Sequence, residues 1–298
     1  MPPGSESGHR LACLLNLGTL DDLPSFSEGP AVKDPAEVFA SIHAAGYEGV
    51  QFVSKADAKS LRLCREYGFL FAGSGRINSP EEIGPLAQAL AGTGMLGATL
   101  HVGWGLEDDW AARALIEAIL EWSERLRFPL WPETHRATIF QDMWRTRNFI
   151  ERYPALRLNG DFSHWYTGHE MVYGGFEKKC EFLEPVMDRI CFLHGRIGSP
   201  GSIQVALPED RAESAPYLEH FESLWLLAMK GFIKRFSPGS TLPFAIELLS
   251  PRIFYGREFT LASGERREES DRWQQGLLLC KIARECWRRL QPIEDGLT

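Results

Sequence analysis

Residues 242–248 read Leu-Pro-Phe-Ala-Ile-Glu-Leu, five apolar positions running without a break into a carboxylate. An apolar run with no polar alternation is what a strand buried on both faces needs, as in a parallel sheet. A carboxylate is costly to bury without partners, so Glu247 marks the strand end where partners must gather. Residues 190–196, Ile-Cys-Phe-Leu-His-Gly-Arg, repeat the pattern with an imidazole in place of the carboxylate. The stretch between them, Tyr217 to Phe236, carries the periodicity of a helix.

Working outward from this βα pair, the alternation continues along the whole chain. Strands are predicted at Leu11–Gly18, Tyr47–Val53, Phe69–Ala72, Ala98–Val102, Phe128–Trp131, Leu156–Gly160, Ile190–Leu193 and Leu242–Leu248. Helix signals separate them. Asp34-Pro35 is a cap followed by proline at the first helical position, and Ser79-Pro80-Glu81-Glu82 reads as a capping box. Ala111, Leu115, Ala118, Ile119, Trp122 and Leu126 share one face of a long fourth helix. A helix is expected at Phe140–Glu151, another at Lys178–Asp188, and a final one from about Asp271 to Leu290. Eight such units define an α/β fold, a (β/α)8 TIM barrel, as a single domain over residues 11–298 after a disordered arm over 1–10. A doubly wound open sheet is the structural alternative. The charged stretch from Pro251 to Ser270 follows strand eight, where it would lie over the mouth as a lid or a subunit contact.

Composition narrows the function classes. The 298 residues are 44% hydrophobic and 24% charged, with net charge −8, enough for a large core and too acidic for general nucleic-acid binding. Six cysteines form no C-x-x-C pair, so they read as reduced core thiols rather than a zinc ribbon or a disulfide framework. The apolar run Leu11–Leu17 is interrupted by Asn16 and is too short to span a bilayer. A cytoplasmic protein with no membrane partner is the expectation.

Four successive strand ends carry groups that ligate metals. They are Glu133 after strand five, Asp161 after strand six, His194 after strand seven and Glu247 after strand eight. One such residue alone is more often a solvated loop group or a helix cap. Four in order on adjacent strands converge on one point at the C-terminal face of a barrel. Three carboxylates and one imidazole make a hard site suited to one divalent ion, Mn2+ or Mg2+, with Zn2+ or Co2+ also admitted. Trp104, Trp131 and Trp165 stand beside strand ends, where a ring either stacks on a sugar or packs the core. His135 and His169 read as loop residues, and Cys191 as core.

The order Glu, Asp, His, Glu on strands five to eight resembles the xylose-isomerase-like barrel superfamily of sugar isomerases and epimerases. That resemblance implies that Glu133 and Glu247 also act as acid and base. It implies that His164, in the D-x-x-H segment Asp161-Phe162-Ser163-His164, touches substrate, and that Arg196, in His194-Gly195-Arg196, holds a substrate oxygen. His101, after strand four, matches a histidine of endonuclease IV on the same scaffold. However, Gly73-Ser74-Gly75 ends strand three without the histidine that enzyme needs, and no D-x-H follows His194. The second glutamate of the ketose 3-epimerases is missing too, its position being Ile139.

The expected activity is therefore a metal-dependent isomerase or epimerase of a sugar or related hydroxy-ketone, working by proton transfer through an enediolate. Glu133 and Glu247 would be catalytic, with His164, Arg196, His101, Trp104 and Trp165 on a small carbohydrate or keto-polyol substrate. The alternatives are a lyase or dehydratase of a keto-sugar or keto-inositol, a phosphodiesterase, and a non-catalytic sugar-binding barrel. A homo-oligomer is left open.

Overall fold

The computed structural model describes residues 8–30, 34–208 and 216–291. Eight parallel strands alternate with helices: β1 Arg10–Asn16, α1 Pro35–Ala44, β2 Gly49–Gln51, α2 Ala58–Glu66, β3 Leu70–Ile77, α3 Pro80–Ala91, β4 Ala98–Val102, α4 Asp109–Leu126 and β5 Leu130–Pro132. There follow α5 Met143–Arg152, β6 Leu158–Gly160, α6 Phe162–Gly168, α7 Phe176–Met187, β7 Ile190–Gly195, α8 Tyr217–Arg235 and β8 Thr241–Ile246. A small hairpin, β9 Glu258–Thr260 with β10 Arg266–Glu268, precedes α9 Arg272–Arg289. The strand order is β5-β4-β3-β2-β1-β8-β7-β6, a parallel sheet curled round so that its two edges face each other. The fold is a (β/α)8 barrel.

The two edges meet at a single parallel bridge between Glu133 and Asn159, backed by a hydrogen bond from the Thr134 amide to the Asn159 carbonyl at 3.1 Å. A sequence-predicted metal ligand thus stands on the seam that closes the barrel. The strands are buried throughout: β7 and the last five positions of β8 are fully inside, as a sheet covered on both faces requires. Gly195 is obligatory for that packing, because a Cβ there would collide with the Phe244 ring of the next strand.

Local chemistry explains where the helices start. Among the described residues, α1, α2, α4, α5, α6 and α9 each have an aspartate N-cap whose carboxylate accepts an amide of the first turn. The expected capping box at Ser79 is corrected. The Ser79 side chain makes no capping bond, and Glu82 accepts from the Asn78 amide at 2.6 Å instead. Strand three is longer than its apolar run. It continues through Gly73-Ser74-Gly75 to Ile77 because β4 offers partners from Ala98 to Val102. The helix expected from Phe140 begins at Met143, where Asp142 caps it. Segment 251–270 is not irregular throughout, since it holds a 3-10 turn at Pro251–Ile253 and the β9–β10 hairpin. Residues 1–7 of the expected arm, and 31–33, 209–215 and 292–298 of the expected domain, lie outside the described residues, whereas His9 bonds the Phe236 carbonyl and Arg10 opens β1. No helix among the described residues is long and apolar enough to cross a membrane.

Arg272, 1% exposed, ties this region to the opposite end of the chain. Its guanidinium donates to the carbonyls of Thr19, Asp21 and Asp22 at 2.6–2.8 Å and to Glu268 at 2.6 Å. One buried cation thereby satisfies three carbonyls of the loop after β1 and a carboxylate of the hairpin. Arg272→Met should leave these acceptors unpaired and cost about 3–5 kcal/mol. Urea unfolding checks this, and a loss below about 1 kcal/mol would show that the clamp contributes little.

Candidate metal centre

Strand register builds the site layer by layer. Asn16 of β1 pairs in register with Gln51 of β2, and β8 pairs with β1 up to Ile246, which places Glu247 level with Asn16. Leu100 of β4 is level with Pro132 of β5, so His101 and Glu133 stand side by side one residue on. The result is a polar layer across the C-terminal mouth. Asn16 donates to Gln51 and to Glu247, each at 3.0 Å, and Gln51 donates to Thr99 at 2.8 Å.

Glu133, Asp161, His194 and Glu247 converge as the strand order requires, each with a ligand atom within 4.8 Å of every other. His194 Nδ1 lies 3.5 Å from Glu133 Oε2, 3.6 Å from Asp161 Oδ2 and 3.4 Å from Glu247 Oε2. Its other nitrogen, Nε2, meets the Gln51 amide oxygen at 3.0 Å. That oxygen can only accept, so Nε2 carries a proton and Nδ1 is the nitrogen that would ligate a cation. An acceptor behind the imidazole is the usual support of a metal-binding histidine. Asp161 divides its labour. Oδ1 caps α6 through the Ser163 amide at 3.0 Å and the Ser163 hydroxyl at 2.5 Å, which leaves Oδ2 for the centre.

The separations fit a divalent ion. Bonds of about 2.1 Å put neighbouring ligand atoms roughly 3.0 Å apart in an octahedron and roughly 3.4 Å apart in a tetrahedron. The observed 3.4–3.6 Å is too long for a good hydrogen bond and close to those spacings. Glu133 Oε1 is buried with no hydrogen-bond partner among the described residues, a costly state for a carboxylate oxygen. The donor set and the orphaned oxygen both suit a small hard cation.

The charges are unevenly matched. Burial disfavours the ionised Glu133 carboxylate, yet His194 and His101 beside it hold its pKa well below the usual range. Asp161 is likewise buried, and Arg196 and His164 bring it far down. Burial raises Glu247, and His194 and Arg196 only partly offset that. Without a cation, Glu247 and Glu133 favour a second proton on His194, at Nδ1, against its burial, and a metal ion would take the place of that proton. Three carboxylates therefore face one guanidinium and one imidazole, an excess of negative charge that a divalent cation would balance.

A cavity of about 510 Å³ opens above this floor, lined among others by Glu133, Glu247, His101, Arg76, Asp21 and Ser250. Of the four convergent residues only Glu133 and Glu247 line it; Asp161 and His194 lie behind. Three residues expected at the substrate make internal contacts. Arg196 is wholly buried, ion-paired with Asp161 and with Glu247 at 3.1 Å, and covered by the Tyr255 ring 4.9 Å away. His164 is 2% exposed and accepts at Nε2 from the Arg196 guanidinium at 3.0 Å. Tyr255, from the segment after β8, also has its ring 6.4 Å from that of His164. Trp165 is in the core and donates to the Phe140 carbonyl at 3.0 Å. Trp131 also packs inward, its ring 5.4 Å from Phe192. Trp104 stands exposed at the rim with Arg76 stacked on it at 4.9 Å.

Sequence reasoning missed Asn16, Gln51, Thr99, Asn159, Arg76 and Tyr255. Asn16 and Gln51 end strands one and two and Asn159 is the middle residue of strand six, and a polar residue late in an apolar strand was the available signal for them. Arg76 and Tyr255 had no such signal.

By sequence, no family model and no curated protein matches the chain. By structure, it matches a xylose isomerase-like TIM barrel protein from Mycobacterium smegmatis in complex with magnesium, with TM-score 0.58 and 14% identity over 93% of this chain and 97% of that one. The fold is that of the xylose isomerase-like TIM barrels. A 3-keto-D-glucoside 4-epimerase from E. coli matches with TM-score 0.55 and 13% identity, covering 93% of this chain and 100% of the other. A probable 3-DHS dehydratase from Bacillus anthracis matches with TM-score 0.53 and 13% identity over 81% and 93%.

Gln51→Met removes the acceptor behind His194 while keeping bulk. It should weaken Mn2+ binding about 10–100-fold, as loss of a supporting group does at other metal sites. Calorimetric titration of the folded variant measures it, and an unchanged affinity would remove Gln51 from the support of the centre.

Proposed function

We propose that the chain is a divalent-metal-dependent isomerase or epimerase of a sugar or related hydroxy-ketone. The observation that carries this reading is the division of the four convergent groups: Glu133 and Glu247 face the cavity, while Asp161 and His194 only face the centre. Two carboxylates bordering one cavity from strands five and eight are what transfer of a proton off and back onto a carbon requires. A divalent ion held by Glu133, Asp161, His194 and Glu247 would supply Lewis-acid polarisation of a substrate carbonyl.

The chain's own residues do the rest. One glutamate takes the proton from the carbon next to the carbonyl, and the other returns one. Arg76 and His101, on the cavity wall, are placed to bind substrate oxygens. Arg196 serves the carboxylates rather than the substrate: its fixed positive charge beside Asp161 and Glu247 keeps them oriented toward the centre. The matched 3-keto-D-glucoside 4-epimerase and probable 3-DHS dehydratase share the fold, which supports the class without fixing the substrate.

Glu247→Gln keeps the shape and removes both the charge and the basic oxygen. Exchange of a substrate α-proton with deuterated water, screened over ketoses and keto-polyols, should fall about 10²–10⁴-fold at saturating Mn2+. Glu133→Gln should behave alike. Wild-type exchange in either variant would break the assignment. An unsaturated product accompanying exchange in the unmodified protein would move it to the lyase class.

A further inference from the structure

A second cavity, of about 570 Å³, opens at the opposite end of the barrel from the four convergent groups. Leu130 and Thr241, which start β5 and β8, line it, and so does Arg157, just before β6. It is therefore cut into the N-terminal face, where residues of these barrels ordinarily serve stability. We propose that this cavity binds a small amphipathic carboxylate, its apolar body among Leu130, Trp131, Phe232 and Phe236 and its charge on Arg127 and Arg157.

The size and the wall come first. A cavity of this order suits a small organic molecule, and most of its lining side chains are apolar. Charge comes second. In a chain of net charge −8, the cavity is lined by two arginines and by no aspartate or glutamate. Arg157 spends Nη1 on the carbonyls of Pro154 and Leu156, at 2.8 and 2.9 Å, and its guanidinium lies 5.8 Å from the Phe236 ring. Neither Arg127 nor Arg157 has a carboxylate partner among the described residues.

Helix ends account for only part of this charge. Arg127 caps the C-terminus of α4, where the helix dipole favours a cation. Arg157 stands beyond the last turn of α5, which ends at Arg152, and has no such support. Its neighbour is another cation. Arg189, whose carbonyl accepts the Leu158 amide at 3.0 Å, has a buried Nε with no hydrogen-bond partner among the described residues. Burial and the charges of Arg157 and Arg235 push its pKa down. Asp188 offsets this only in part, because Lys234 and Arg235 hold it at 3.1 and 2.9 Å. Surplus positive charge at the rim of an apolar cavity matches an anion with an apolar body. An alcohol would fill the wall and leave the guanidinium groups as they are; an inorganic anion would meet the charge and leave the wall wet.

The test uses the full chain and isothermal titration with octanoate, with octanol as its neutral counterpart of equal chain length and phosphate as a compact anion. The unmodified protein should bind one equivalent of octanoate, with octanol and phosphate each at least about 10-fold weaker. Arg157→Gln and Arg127→Gln should each weaken octanoate about 10-fold and leave octanol unchanged. Ala155→Trp, which sets a bulky ring at the exposed rim, should block both octanoate and octanol. Circular dichroism verifies that each variant is folded. No octanoate binding by the unmodified protein, equal affinity for octanol, or full octanoate affinity in Ala155→Trp would each overturn the site. Phosphate bound as tightly as octanoate would reduce it to a surface anion site and overturn it too. A dimer of the unmodified chain that Ala155→Trp dissociates, with no octanoate bound, would make the cavity an interface between copies instead.

Discussion

The crowding of three buried carboxylates at the closing seam of the barrel is the constraint on which the rest of the structure turns. Glu133 makes the bridge that joins the two edges of the sheet, and Asp161 and Glu247 crowd the same point from the neighbouring strands. Such charge cannot be buried without compensation. Arg196, Asn159, Asn16 and His194 provide part of it: Asn159 donates to Glu133 at 3.1 Å and Asn16 to Glu247 at 3.0 Å. The orphaned Glu133 oxygen shows that the protein groups alone leave a remainder. In this barrel, the groups that complete the fold and those that would bind the cation are the same.

That double duty explains the surrounding polar layer. A barrel interior is normally filled with branched apolar side chains. Here Gln51, Thr99 and Asn159 are buried at its C-terminal end, and each is hydrogen-bonded. Gln51 is the hub: its oxygen accepts from Asn16 and His194 while its nitrogen donates to Thr99. The Gln51 oxygen holds the His194 ring at one angle with a proton on Nε2. The segment after β8 adds a second layer. Tyr255 covers Arg196 and reaches His135, while Arg196 also donates to His164 at 3.0 Å.

Much of this was legible in the chain itself. The run 242–246 ending in Glu247 and the run 190–193 ending in His194 announced both the strand type and a candidate ligand, because burying a charged group at a strand end demands partners. Asp34-Pro35 and Asp271 marked helix starts through the chemistry of their own side chains. These are local signals, decided by residues a few positions apart. Asp161 was read as a ligand for the same reason, although its second role as the cap of α6 was not seen.

What the sequence by itself determined is the succession of eight βα units and the four groups at their ends, since apolar periodicity, capping and the cost of buried charge all act within a short stretch. Tertiary structure alone decided which side chains meet across strands. Asn16 lies 35 positions from Gln51, and His194 lies 143 from it, so only register brings these partners together. It also decided which polar residues see the cavity. Arg76 reaches the wall because β4 extends β3 past its apolar run, and Arg196 is shut away because Tyr255, from a distant segment, lies over it. Exposure depends on what packs above a residue, and no local pattern encodes that.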